Sequence, residues 1–588
     1  GRLSPAAGGL LVAAAVLGLA FGFERLCAVA EAGEREALPA LDELLASRIL
    51  LDRDERPATP YEFAHDKIRD VVYTEAGEAR RRHTHRRAYA LALAEGGAAE
   101  AELAHHALAA HLAEPAVYHS LAAGDAALAV FAVRDAIALY EQARRIEGTA
   151  LPLALFARLG RAYELAGDQA PAQTAYQAML DAALAGALPD QAGAALNHLA
   201  TVAIHQYDFP AAAKLLEQAL ALADGNPALL ADTEWSLAQL HHHQYDFQGS
   251  RQHSARALAL ARELGNAELT AGSLNALGYA EMLIGQVAAG SQHMQEARAR
   301  YRELGNRPLE ADCLSANAGA QLWLGQLEAS LAAAEEARAI CEAIENPWGQ
   351  VFSGIWRAAA LLDQGEYGAA LATAEAGEAQ ARAHSFVPLR IFNLLTLGRV
   401  WRALMQPEAA HAANLEARAV NDRAPAGPFA GMISAALCED AAAAGDWALA
   451  LEHARAAAGQ RSYAALPLVV PRRWPETEAL LRGGERALAE EDARRWGELV
   501  RAVPRLYLAH LRSLALLAQR QPARAYLEKA AQLAASLGLP GELWPICAAL
   551  GETERAAAIV RALARKIEDQ TLRAAYEAGA AEALRRTI

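Results

Sequence analysis

The sequence predicts an all-α chain, an α-solenoid of stacked helical hairpins behind a small N-terminal domain. Three observations predict it. The chain is dominated by alanine and leucine and is only 6% aromatic, a composition that favours helices over strands. At 588 residues it exceeds a single compact core, so it must form several domains or one elongated array. One unit also recurs: "LNHLATVAIHQYDFPAAAKLLEQALAL" returns as "EWSLAQLHHHQYDFQGSRQHSARALAL", placing His205 and His243 243 − 205 = 38 residues apart.

The first hundred residues do not repeat. The stretch Gly8 to Phe23 is apolar, but it is short and Gly-rich, and it runs directly into Glu24 and Arg25. It reads as a buried helix rather than a signal or membrane segment. The first residue is Gly1 rather than Met, which leaves room for a longer parent chain. Helical patterns cover Pro5–Leu17, Phe23–Ala30 and Glu36–Ala46. Two strand-like runs follow, "RILLDRD" and "YEFAH", separated by a polar stretch with Pro57 and Pro60. A basic helix is predicted from Asp66 to Glu95. Three helices and a two-stranded wing make a winged-helix pattern over residues 1–112. The third helix carries Glu36, Asp42 and Glu43 and no Arg or Asn to read base edges. The net charge is −15, which repels phosphate backbones, so no direct DNA binding is expected. The run Arg80–Arg82, His83, His85, Arg86 and Arg87 reads as a solvated face or an intramolecular dock.

From about residue 113 to 460 the repeats run, with unit starts near 117, 153, 193, 231, 271, 311, 351, 391 and 431. A helix pair cannot bury its apolar stripe alone, so pairs must stack. Gly167, Gly285, Gly325, Gly365 and Gly445 fall at the turn inside each pair, where a left-handed backbone is needed. Tyr207 and Tyr245 replace glycine there. Most of HQYDF is therefore a helix–helix corner, and its histidine is the residue that the corner does not demand. Beyond Gln460, Pro467, Pro471 and Pro475 interrupt the pattern. Residues 461–588 read as divergent helical repeats and a C-terminal cap.

The repeat resembles the tetratricopeptide repeat. Leu159, Gly160, Tyr163, Gly167, Ala172 and Tyr176 fill that family's positions in "LGRAYELAGDQAPAQTAYQAML", and Leu277, Gly278, Gly285, Gly290 and Ala297 do so in a later copy. The resemblance implies a right-handed solenoid, and its spacing of about forty residues is similar to the sensor repeats of large bacterial signalling ATPases. "FAHDKIRDVVY", Phe63 to Tyr73, resembles the motif closing the winged helix of signal-transduction ATPases with numerous domains (STAND). By that resemblance His65 reaches the β-phosphate of bound ADP, and Asp66 positions it. An upstream NTPase domain would supply the nucleotide, so ADP or ATP sits at the winged-helix edge only when that domain is present. No cofactor is expected on this chain alone.

No enzyme is expected. The sequence holds no GxxxxGK[ST], GxSxG, HExxH or kinase signature. The five cysteines (Cys27, Cys313, Cys341, Cys438, Cys547) include no CxxC, which suits a reducing cytoplasm and offers no zinc site. His205, His241, His242, His243 and His253 cluster in sequence, but consecutive histidines cannot all face one point, so no metal is expected. A protein or peptide partner, or a small-molecule inducer, is expected on the concave face. Asn197, His205, Trp235, Gln239, His242, His243, Asn275, Tyr279 and Trp323 would line it. Such a region would control the ADP/ATP switch of the NTPase domain, with no membrane contact and with oligomerisation on activation. The alternative is a free-standing repeat scaffold joining partner proteins.

Overall fold

The computed structural model describes residues 3–53, 59–130, 132–423, 429–460, 466–467, 472–518 and 521–587. Asp54, Pro57 and Pro471, which the sequence reading used as element ends, lie outside them. The chain falls into two compact units, Gly1–Leu222 and Ala223–Ile588. It is an all-α solenoid of tetratricopeptide type with a small sheet near its start.

The first unit opens with α1 (Pro5–Leu17), β1 (Ala20–Phe21), α2 (Phe23–Ala30), α3 (Glu34–Ala46), β2 (Leu50–Asp52) and β3 (Tyr61–Phe63). Leu10 to Val16 of α1 are buried, as its unbroken apolar run requires. No helix among the described residues is long and apolar enough to cross a membrane. The strands form an antiparallel sheet in the order β1-β3-β2, with Phe21 opposite Tyr61 and Leu50 opposite Phe63. The single basic helix expected next is two helices, α4 (Asp66–Glu75) and α5 (Glu78–Glu95). Gly77 breaks it with φ of 75°, a backbone that side chains disfavour. The unit continues through α6 (Glu100–Ala109), α7 (Ala113–Ala129), α8 (Val133–Arg144), α9 (Leu153–Leu165), α10 (Gln169–Ala185), α11 (Pro189–His205) and α12 (Phe209–Leu222).

In the second unit the period is regular. The first helices of successive pairs are α13 (Pro227–His243), α15 (Ala267–Leu283), α17 (Arg307–Trp323), α19 (Pro347–Asp363) and α21 (Val387–Ala403). Their partners are α14 (Phe247–Glu263), α16 (Val287–Glu303), α18 (Leu327–Ala343), α20 (Tyr367–Ala383) and α22 (Pro407–Arg423). Each pair begins 40 residues after the last (267 − 227 = 40). The corners repeat with it. Tyr245, Gly285, Gly325, Gly365 and Met405 are left-handed at the turn inside the pairs. The recurring Gly-Asn divides the work between pairs. Gly265 and Gly305 take the left-handed turn, and Asn266 and Asn306 cap the next helix by accepting from Leu269 and Leu309 N–H. In HQYDF, Tyr207 and Tyr245 are left-handed at 60° and 61°. Asp208 and Asp246 accept from Ala211 and Gly249 N–H, and Phe209 and Phe247 open the next helix.

The chain then runs through α23 (Phe429–Ala444), α24 (Trp447–Gln460), α25 (Trp474–Arg482), α26 (Arg486–Val500), α27 (Pro504–Leu517), α28 (Gln521–Ser536), α29 (Pro540–Ala549), α30 (Thr553–Arg565) and α31 (Gln570–Thr587). These last helices fold back along the turns of earlier repeats. A Cβ at Gly285 would meet the Leu499 carbonyl at 2.7 Å; one at Gly325 or Gly365 would strike the side chain of Leu537 or Leu563; Gly579 lies against Met405. Trp496, Val503, Leu506 and Ile546 accordingly share one core with Met282, Leu322 and Trp323.

Within the pairs, glycine makes room for a large residue sixteen positions on. A Cβ on Gly124 would strike Tyr140, on Gly160 Tyr176, on Gly278 Met294 and on Gly398 Asn414. Tyr140, Tyr176 and Met294 are fully buried. Gly278 also lies so close to the next helix that a Cβ would sit 2.7 Å from the Gly290 carbonyl oxygen. Gly278→Ala should therefore destabilise the protein by about 1–3 kcal/mol by overpacking. Gly354→Ala in α19, where a Cβ meets nothing within 4 Å, should stabilise by about 0.5–1 kcal/mol through helix propensity. Denaturant melts of the two variants check the opposite signs.

Candidate functional site

In the first unit, His65 and Asp66 sit where β3 hands over to α4. Both are exposed. His65 is the N-cap, with φ −150° and ψ 138°, and makes no side-chain capping bond; Asp66 is the first helical residue. An exposed imidazole beside open backbone N–H groups at a helix start is a place where an anion is stabilised. Of the basic run, Arg80, Arg82, His83 and Arg86 are solvated. Arg87 is docked, donating to the Ala28 carbonyl at 2.9 Å and pairing with Glu31 at 3.3 Å. Asn197 is buried within α11, and His205, its last residue, is exposed.

Sequence reading missed a histidine cluster here. His85, on α5, and His105 and His106, on α6, have ring centroids 5.2–5.3 Å apart, and His85 Nδ1 meets His106 Nδ1 at 2.9 Å. Tyr73 hydroxyl holds His85 Nε2 at 2.8 Å. Among the described residues this is the one His/Cys/Asp/Glu group whose geometry could take a metal ion. Burial and the neighbouring imidazoles push His85 down to about 3. Burial, with His105 beside it, pushes His106 to about 4.

In the second unit, six of the proposed lining residues lie on α13 and α15. Trp235, Gln239, His242, His243, Asn275 and Tyr279 are all half-buried. The His242 and Tyr279 rings are in contact at 5.2 Å, and His242 also touches Phe247 and His243. Burial, then the neighbouring His243, holds His242 down to about 4, so it presents a neutral ring. Asn275 is committed sideways: its amide donates to Asp312 at 3.3 Å and its carbonyl accepts from Cys313 Sγ at 3.3 Å. Trp235 Nε1 is buried without a hydrogen-bond acceptor. Trp323 is a correction. It is fully buried, edge-on to Trp356 at 6.0 Å, because the C-terminal helices that fold back along the repeats cover its end of α17. It belongs to the core and offers no face to a ligand.

The same folding back creates a charged cavity that sequence reading also missed. It measures about 30 Å³ and is lined by Asp363, Tyr367, Arg399, Arg402, Arg472 and Glu542, among others. Arg505 of α27 grips Asp363 through two bonds of 2.6 and 3.0 Å and reaches Glu542 at 3.3 Å. A signal did exist. Arg399 stands 399 − 279 = 120 residues, three periods, after Tyr279, at the helix position already singled out for binding.

Imidazoles largely withdrawn from water make stability depend on pH. His198 stacks on Tyr176 at 4.6 Å, and burial, then Arg161, lowers it from 6.5 to about 4. The unfolded chain takes up the proton first, so this stabilisation is present above pH 6.5 and is lost as the pH falls toward 4. The melting temperature should drop between pH 7 and pH 5. His198→Phe, which keeps the stack but cannot titrate, should make that drop smaller in parallel thermal scans, the remaining slope coming from His85, His106 and His242.

No family model and no curated protein matches the chain. Among solved structures it is similar to a STAND protein with a tetratricopeptide-repeat sensor from Pyrococcus horikoshii, at 13% identity and a TM-score of 0.50, over 72% of this chain and 64% of that one. The chain thus spans less than two thirds of that protein's length. A Rap protein complexed with competence and sporulation factor (13% identity, 64% of this chain and 100% of that one, TM-score 0.41) and the Cut9 and Hcn1 hetero-tetramer of the APC/C (16%, 79% and 95%, 0.40) superpose too loosely to carry an argument. The likeness to the Pyrococcus horikoshii protein bears on the fold alone, a tetratricopeptide-type helical solenoid.

Proposed function

We propose that this chain is the arm and sensor region of a STAND-type signalling ATPase. In this reading residues 1–112 are a winged-helix arm, 113–460 the repeat sensor, and 461–588 divergent repeats that complete it. The repeats bind an inducer or a protein or peptide partner, and that event releases the ADP-bound state of an upstream NTPase domain. The carrying observation is the position of His65 and Asp66. They are exposed at an open helix N-terminus, between a three-stranded sheet and a repeat array. The order helix, strand, two helices and two strands suits a winged helix, and the fold likeness to a STAND protein with a repeat sensor supports the combination. The half-buried face of Trp235, Gln239, His242 and Tyr279 supports binding through stacking and a few directed polar groups.

A free-standing scaffold is the second reading, favoured by the absence of a phosphate-cradling loop in these residues. The coding sequence upstream of Gly1 separates the two: a P-loop there supports the switch, and its absence supports the scaffold.

On the switch reading, the purified chain does not turn over ATP, and turnover that survives repurification contradicts it. In the NTPase-containing parent, His65→Ala removes a bond to phosphate and should weaken ADP retention by about tenfold or more while raising basal output. Unchanged ADP dissociation with normal basal output makes His65 a structural cap only.

A further inference from the structure

The charged cavity lies between the turn after α19, helix α21 and the start of α29, away from the α13 and α15 face. Five guanidinium groups converge there: Arg399, Arg402, Arg472, Arg505 and Arg512. Four carboxylates answer them. Asp363 takes Arg505. Glu542 takes Arg505, Arg512 and Arg472 at 3.3, 3.4 and 3.5 Å. Glu439 takes Arg402 at 2.8 Å and Arg472 at 3.2 Å. Asp440 takes Arg402, and also Asn414 at 2.9 Å and His411 at 3.3 Å. Five cations less four anions leave one positive charge in excess, in a place where an uncompensated charge is costly.

By geometry Arg399 is the least well paired of the five: the others each have a hydrogen-bonded carboxylate. Both Asp363 oxygens are already engaged by Arg505, and Arg399 stands 3.8 Å from Asp363. That is too long for a hydrogen bond. Its side chain is 15% exposed and lines the cavity. Burial, only partly offset by Asp363 and worsened by Arg505 and Arg472, lowers it to about 10. The neighbouring acids are saturated: Glu542, despite burial, is held to about 2 by Arg472, Arg505 and Arg512. A cavity of about 30 Å³ exceeds what one water needs, and matches an oxyanion head better than a whole metabolite.

We propose that this cavity binds the carboxylate or phosphate group of a small anionic ligand, with Arg399 as its principal donor and Arg402 and Arg472 beside it. A planar guanidinium fork lining a polar cavity is the arrangement that recognises an oxyanion through paired N–H bonds. The site is distinct from the α13 and α15 face, so it stands or falls independently of the switch reading. Filling it would neutralise the buried surplus and tie the repeats more tightly to the C-terminal helices.

The test uses the whole purified chain, with succinate and inorganic phosphate as probes and chloride as the reference at constant ionic strength. Thermal shift and calorimetric titration should show saturable binding of at least one probe, and the stronger one identifies the head group. Arg399→Gln should abolish or weaken that binding by about tenfold or more, the loss of a charge-assisted bond. In chloride it should melt no lower than wild type, because it removes a surplus charge. Arg494→Gln, at an exposed pair outside the cavity, should bind as wild type. No saturable response to either probe overturns the proposal, as does equal binding by Arg399→Gln. An Arg399→Gln chain that melts lower or does not fold overturns it too, since Arg399 would then be an ion-pair partner the fold requires.

Discussion

The close approach of paired helices is the constraint on which the solenoid depends. Gly160 and Gly278 are not simply small residues in a small-residue-rich chain. Each opens a hole that Tyr176 or Met294, sixteen residues later, fills completely. The hole fixes which faces of the two helices meet and how far apart they lie. The same approach recurs in repeats of different length: the pair holding Gly160 is followed by the next after 189 − 153 = 36 residues, and that holding Gly278 after 307 − 267 = 40. Helix propensity opposes these glycines, so packing must outweigh it.

A regular period has a second consequence. It sets the turns at equal intervals, and another layer can use that spacing. Gly285, Gly325, Gly365 and Met405 are each met by a residue from the C-terminal helices. Glycine is useful here for two reasons: it takes the left-handed turn, and it leaves no side chain to hold the neighbouring layer away. Apolar burial joins the layers across Trp496, Leu506 and Trp323, while the Arg505–Asp363 pair fixes where they register. Buried pairs of this kind add little net stability but penalise every alternative alignment that would strand a charge.

Much of this was legible in the sequence, for local reasons. The Leu-Gly and aromatic pattern and the turn glycines each encode a backbone conformation within one repeat. The HQYDF string was legible as a helix–helix corner with tyrosine in the glycine's place, and the structure adds that Asp208 and Asp246 cap the next helix. What was not legible lies between distant segments. Arg505 and Asp363 are 505 − 363 = 142 residues apart, and no periodicity relates them. Trp323 looked like its helix neighbours by position, and only the C-terminal helices that fold back along the repeats make it core. His85 and His106 come from different helices, joined by a bend at Gly96 and Gly97 whose geometry the residue types alone do not specify. The break at Gly77 could have been read from Ala-Gly-Glu within a helical run, where glycine is the expected stop.

The proposed function rests on a repeat face that offers rings and amides; the charged seam, a separate feature, joins the C-terminal helices to the repeats beneath them. That seam makes sense only if α25–α31 and the repeats beneath them open together. Amide hydrogen exchange of the purified chain across a denaturant series tests this most directly. If the buried cluster locks the layers, the slowest amides of Trp474–Thr587 and of Arg307–Ala403 will exchange with the same opening free energy and the same denaturant slope. Exchange of α25–α31 at markedly lower denaturant, with α17 to α21 still protected, would contradict it.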